Sequence, residues 1–348
     1  MATLLGRLRS EFVRGRPAST DLYQGVQLAV VVGVPLALGV AAGRLPAGVI
    51  ASIGGMMGTL SAQINGGTMR LRIGTILATV LAVIAGAAFG TLVDRNGIAG
   101  GLALFTAAFV AGRVHGAHPV VESVARFLGI GVAIGVGLRP DQWIFAAYYL
   151  GGAAFAVAMA WLVGRLDPSR AASQAAAIRS SVSSVLRREV GSTRFALLYA
   201  STVVVALLTA SWLGVTRPYW AALTVFLVMR METRATLSFV SARTAGTLVG
   251  VAFAGLFTEL AHLEPERAAL AVAFAFAVPL GRRVGPAFGI TAITAVVMLL
   301  IDLLPAAAAG GGLFTARLYD TLVACVLVLL GSSLDALLAG YARNRAPG

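Results

Sequence analysis

Along the chain, long apolar blocks are separated by short polar breaks, and within a block the apolar residues run on without alternation. The stretches 73–93, 195–213 and 287–301 are of this kind. A block near 20 residues matches about 30 Å of hydrocarbon at about 1.5 Å per residue. Continuous blocks point to helices, because a membrane β-barrel needs strands of about ten residues with alternating faces. Twelve membrane helices are predicted, at about 22–42, 46–63, 73–93, 98–112, 120–138 and 142–164, then 195–213, 219–229, 236–257, 267–280, 286–304 and 315–339. The second, fourth, eighth and tenth are short for a full crossing, so they are expected to tilt, to be enclosed by protein or to thin the bilayer. Between the two sets, Asp167-Pro168-Ser169 is a helix-start signal, and Ile178, Val182, Val185 and Leu186 follow at helical spacing. A short amphipathic helix on the inner leaflet is expected there, with a solvated linker as the alternative.

Composition sharpens this reading. The chain is 58% hydrophobic and only 12% charged, against about 25% charged in an average soluble domain. Its mean hydropathy is +0.88. The 41 glycines suit helices that must approach closely in lipid, where no hydrophobic drive brings them together. The one cysteine, Cys325, lies in an apolar block, which leaves no disulfide framework and no cysteine metal cluster. Every one of the 27 basic residues is arginine. A chain without lysine has neither a Walker P-loop nor a Schiff-base nucleophile, so any ATP hydrolysis would come from a partner. With no nucleophile–base or metal constellation in the sequence either, no cofactor and no enzymatic activity are expected.

The positive charge is distributed by side. With the N-terminus inside, 21 arginines fall on the cytoplasmic face and six outside: Arg44, Arg95, Arg139, Arg217, Arg267 and Arg317. That asymmetry predicts both termini in the cytoplasm of a multi-pass inner-membrane protein. The net charge of +13 then reflects topology and contact with anionic lipid, not nucleic acid. Arg7, Arg9, Arg14 and Arg16 precede the first block like a signal n-region, but the many later spans indicate an uncleaved first helix. The two sets of six also repeat. Gly74-Thr75 opens the third span and Gly246-Thr247 the ninth, each close behind an arginine, Arg72 or Arg243. An even number of spans per half makes the repeats parallel. The expected layout is a cytoplasmic segment 1–21, a first six-helix repeat 22–164, a linker 165–194 and a second repeat 195–348.

The stretch 217–250, RPYWAALTVFLVMRMETRATLSFVSARTAGTLVG, resembles the signature of the fusaric acid resistance and aromatic acid exporter family. The stretch 316–331, ARLYDTLVACVLVLLG, resembles that family's Arg-x-x-Asp-Thr-(Leu/Ile) element on the last helix. The first half is similar more loosely, through its glycine-rich second span and the Arg-x-Gly-Thr of Arg72 to Thr75. Plant aluminium-activated malate transporters are similar at the level of the six-span unit. The resemblance implies export of small organic anions, commonly aromatic carboxylates, coupled in bacteria to the proton gradient.

Several constellations fit such chemistry. Arg72 with Thr75 and Arg243 with Thr247 sit at the cytoplasmic entrances of the third and ninth spans, where a guanidinium offers a planar fork for a carboxylate. The alternative is snorkelling to lipid phosphates. Arg217, Trp220 and Thr224 open the eighth span on the outer side. There Trp220 either stacks on an aromatic ring or anchors the helix at the interface. Arg317 and Asp320, three apart on the last span, form a pair that either is structural or exchanges a proton as an anion leaves. Asp302 and Glu122 are further proton-coupling candidates. His115, His118 and Glu122 have a spacing suggestive of a metal, but Pro119 interrupts the helix that would align them, and Glu122 is expected to pair with Arg126 instead. The function expected is a secondary exporter of organic anions, with membrane lipids as its surroundings and no nucleic-acid partner. A passive anion channel and a non-transport scaffold, which homo-oligomerisation would provide with surface, are the alternatives.

Overall fold

The computed structural model describes residues 18–65, 68–93, 98–164, 192–304 and 312–345. Within them lie twelve helices: α1 Ser19–Ala41, α2 Leu45–Asn65, α3 Met69–Leu92, α4 Ile98–Arg113, α5 Pro119–Leu138, α6 Gln142–Gly164, α7 Thr193–Trp212, α8 Tyr219–Val228, α9 Thr233–Leu260, α10 Glu264–Val284, α11 Pro286–Asp302 and α12 Leu313–Arg345. The described residues contain no strand. Arg7, Arg9, Arg14, Arg16, Arg95 and the expected linker helix lie outside the described residues. Eight helices are long and apolar enough to cross a membrane, while α4, α8 and α11 are apolar but shorter. The chain is a multi-pass, all-helical membrane protein.

Two of the four helices expected to be short are not. Helices α2 and α10 each run 21 residues. Polar residues at their ends look like loop in the sequence, but the fold gives them partners. The Gln63 amide donates to the Gln24 carbonyl (3.2 Å) on α1. The Glu266 carboxylate accepts from the Leu263 amide (3.1 Å) and so covers a free N–H at the start of α10. Helix α8, by contrast, has only ten residues.

Small residues are frequent on the buried faces and large apolar ones on the exposed faces, although leucines such as Leu104 are buried too. On α4, Ala103, Ala107, Ala108 and Ala111 are buried while Ile98, Leu102 and Val110 are exposed. This is the reverse of a water-soluble bundle, and it suits a solvent of hydrocarbon. Close approach follows from it. On α3, Gly86 and Gly90 meet backbone at Gly131 and Gly135 of α5, leaving no room for a Cβ.

The helices gather into two compact units that do not follow chain order. One contains α1, α2, α6, α10 and α11, with the first half of α3 and α9 from Ser241 onward. In it α1 lies on α2 and α10, and α10 on α11. Leu28, Val31, Val49, Met56, Ala275 and Leu299 are among its fully buried residues. The other contains α4, α5, α7 and α8, with the end of α3, the start of α9 and most of α12. There α7 and α5 each touch both α4 and α8, around Leu104, Ala133, Val203, Phe226 and Met229. Each unit therefore takes the first two helices of one sequential half and the fourth and fifth of the other. Helices α3 and α9 begin in one unit and end in the other.

Candidate anion site at the break in helix α8

Helix α8 covers about 15 Å at about 1.5 Å per residue, half of a membrane's hydrocarbon. It runs beside α5, with Tyr219 against Gly137 and Phe226 against Gly129. After Val228 the chain leaves the helix at Met229 in an extended conformation (φ −67°, ψ 131°). The non-helical segment then reaches the other end of α5, where the Met231 amide meets His115 and His115 meets Glu122. A short helix plus an extended segment thus spans the height that α5 spans as one helix. Eight of the ten α8 residues are buried, Tyr219, Trp220 and Phe226 among them. Enclosure by protein is what permits non-helical backbone at such depth.

Breaking a helix frees backbone groups, and here side chains from other elements take them up. The Tyr199 hydroxyl of α7 donates to the Phe226 carbonyl (3.0 Å). Thr236 of α9 accepts from the Arg230 amide (3.1 Å) and turns its own proton toward the Arg230 and Glu232 carbonyls (3.0 and 3.2 Å). His115 Nε2 accepts from the Met231 amide (3.2 Å). The break is built into the fold. Tyr199→Phe keeps the ring packing with Phe195 and Phe226 but orphans a buried carbonyl. We expect it to cost about 1–3 kcal/mol, read as a lower melting temperature in detergent.

The segment delivers Arg230 to a group of charges. Glu122 lies in the first turn of α5. It pairs with Arg126 one turn on, as the i+4 spacing predicts, and accepts from His115 Nδ1 at 3.0 Å. Its Oε1 is 4.0 Å from Arg230 Nη1, which is buried and has no hydrogen-bond partner. The Arg230 guanidinium lies over the Phe239 ring, 4.6 Å from its centroid. A guanidinium keeps its proton at neutral pH, so Arg230 is a cation. Two guanidiniums face one carboxylate, so the group carries surplus positive charge with an unused donor. Such an arrangement suits a carboxylate ligand.

The other predicted residues are distributed as follows. Arg243 is the eleventh residue of α9 and only 7% exposed. It therefore lies about 15 Å inside the helix, not at its entrance, because α9 starts earlier than its apolar run. Thr247 and Thr75 are both buried, and neither hydroxyl has a hydrogen-bond partner. The glycines before them differ: Gly246 is pressed against Ala287 and Ile290 of α11, while Gly74 faces open space. Arg72 sits in the first turn of α3, its shielded Nε without a partner. The Arg217 guanidinium lies 5.3 Å from the centre of the Trp220 ring, and Trp220 is 4% exposed. Stacking on a substrate ring would need that packing to open. Thr224 donates to the Trp220 carbonyl at 3.0 Å. Arg317 and Asp320 are both buried in α12. Asp302 pairs with Arg267 at 2.9 Å. His118 accepts from the Val120 amide (3.3 Å) and caps α5, so the two histidines of the turn have separate tasks.

In the sequence Arg230 counts only among the 21 cytoplasmic arginines, and nothing singles out Tyr199. The available signal was a short apolar run, 219–229, followed at once by Arg-Met-Glu. Nor does the sequence single out Asp335, which binds Arg194 Nε at 2.7 Å.

Residues 204–331 match a family model described as fusaric acid resistance protein-like. The match contains α8, α9, α10 and α11 whole, and bears out the resemblance carried by 217–250 and 316–331. The family is one of membrane transporters. No curated protein and no solved structure matches the chain.

Proposed function

We propose that this protein is a secondary transporter of the bacterial inner membrane that exports small organic anions, aromatic carboxylates foremost, at the expense of the proton gradient. The observation that carries the proposal is the broken helix α8, whose end holds Arg230 beside Arg126 with a donor unspent. Interrupted helices and freed backbone are how membrane transporters build sites for charged cargo. A guanidinium in a span costs at least about 2.5 kcal/mol and is normally kept for a ligand or a partner. Arg243, buried well inside α9, is a second such group and lies on the family-like stretch. The corresponding make-up of the two units supports a duplicated six-helix ancestry, with both termini cytoplasmic as the arginine asymmetry indicates.

The test is a deletion strain challenged with a panel of aromatic acids. Expression of the wild type should restore resistance, and Arg243→Ala at equal protein level should restore it only in part. Everted vesicles carrying the protein should accumulate the acid, and a protonophore should stop accumulation. Accumulation that ignores the protonophore removes proton coupling from the proposal. Large single-channel currents would mean an anion channel, and wild type that neither rescues nor transports would leave a scaffold.

A further inference from the structure

His115 has a defined tautomer. Its Nε2 lies 3.2 Å from the Met231 backbone N–H, which can only donate. Its Nδ1 lies 3.0 Å from a carboxylate oxygen of Glu122. The ring must therefore be neutral, with its proton on Nδ1 and the Nε2 lone pair turned to Met231. In this form it ties the α4–α5 turn to the non-helical segment after α8. Its side chain is 14% exposed, in the turn between α4 and α5.

From this we propose that His115 is a proton-operated latch on the segment that carries Arg230. A proton added at Nε2 uses the lone pair that receives the Met231 N–H. Two N–H groups then point at one another, and the contact must open. No other bond changes, and the proton stays on the imidazole until the latch recloses. The charged and titratable groups around the ring set the balance. From α5, Glu122 attracts an imidazolium while Arg126 repels it, and from the α8–α9 segment Arg230 repels it as well. From α7, the Phe195 ring lies 5.2 Å away, and the Tyr199 hydroxyl is engaged with the Phe226 carbonyl. Repulsion between imidazolium and Arg230 adds to the lost hydrogen bond, so both effects drive the segment away from His115. Arg230, the neighbour of Met231 in the chain, moves with it. The latch stands on this geometry alone. Only its consequence, that proton binding repositions an anion-binding arginine, rests on the transport reading.

Hydrogen exchange at the Met231 amide tests it in the full-length, detergent-solubilised protein. After correction for intrinsic exchange, protection in the wild type should fall at least tenfold between about pH 8 and about pH 5, the range in which histidine changes charge. His115→Gln has an oxygen to accept from Met231 and an amide to donate to Glu122, but no titration. It should stay protected at both pH values. His115→Ala should be unprotected at both, and should His115→Ala fail to fold, the glutamine variant carries the test. Wild-type protection indifferent to pH would overturn the latch, as would an equal acid-induced loss in His115→Gln, which would shift the cause to Glu122. Vesicle transport measured alongside separates the two readings. A pH-responsive latch in a protein that moves no organic anion leaves the latch and removes the transporter. Transport with pH-indifferent protection does the opposite.

Discussion

Arg230→Ala will lower organic-anion transport at least tenfold while the protein folds almost as well as the wild type. The two effects separate because of how Arg230 is held. Its Nη1 has no hydrogen bond to lose, and Glu122 keeps Arg126 and His115 when Arg230 is gone. What the fold loses is the ring contact with Phe239, worth about 0.5–1 kcal/mol, and the long 4.0 Å ion-pair contact with Glu122. It regains part of that by no longer burying a cation beside Arg126. An anion in the site loses a charge-assisted hydrogen bond worth about 1.5–3 kcal/mol, and about 1.4 kcal/mol is a factor of ten. Arg230→Lys keeps the charge without the planar fork, so it should fall between wild type and alanine. Initial rates of uptake into everted vesicles, set beside melting temperatures in detergent, are the measurement. A variant that transports normally would remove Arg230 from the site.

Neighbouring glycines on α6 should behave in opposite ways. A Cβ on Gly152 would overlap the Ala51 carbonyl of α2, with the carbonyl carbon only 2.6 Å away. Gly54 and Gly55 on α2 are equally confined, by the Tyr149 carbonyl (2.5 Å) and the Gly152 carbonyl (2.9 Å). The obstacle at Gly152 and Gly54 is backbone, which no rotamer change relieves, so the helices must separate. Overpacking a tight interface costs about 1–3 kcal/mol. Gly152→Leu should exceed that range and leave little folded protein in the membrane, and Gly152→Ala should lower the melting temperature. Gly151, next in the chain, has nothing within 4 Å of a Cβ. Gly151→Ala should therefore stabilise the helix by up to about 1 kcal/mol. Equal responses at 151 and 152 would mean that α2 and α6 do not meet there.

Much of the architecture was legible in the order of residues. Hydropathy is a sum over neighbours in the chain, so blocks such as 73–93 declare their helices locally: twelve helices lie near the twelve expected positions, eight of them long and apolar enough to cross a membrane. Errors fell where polar residues end a helix, as at Gln63 and Glu266, because their partners lie on other elements or in the cap. The candidate site was only half legible. The i+4 spacing announced Glu122 with Arg126, but the link from His115 to Met231 joins residues 116 positions apart. Trp220, expected at the outer opening of the eighth span, is only 4% exposed with Arg217 over its ring, and burial of that degree depends on neighbouring helices.

What the sequence determined by itself is a helical membrane protein with its helices placed. These properties depend on how each short stretch partitions between water and lipid. Tertiary structure alone decided which helices keep company, and so where the charges meet. Lipid offers no hydrophobic drive between helices, and association rests instead on matched surfaces such as Gly86 and Gly90 against Gly131 and Gly135. Shape complementarity between distant segments is a pairwise property that no single stretch contains. For that reason the exchange of helix pairs between the sequential halves, and the broken α8 that brings Arg230 to Glu122, appeared only in the folded chain.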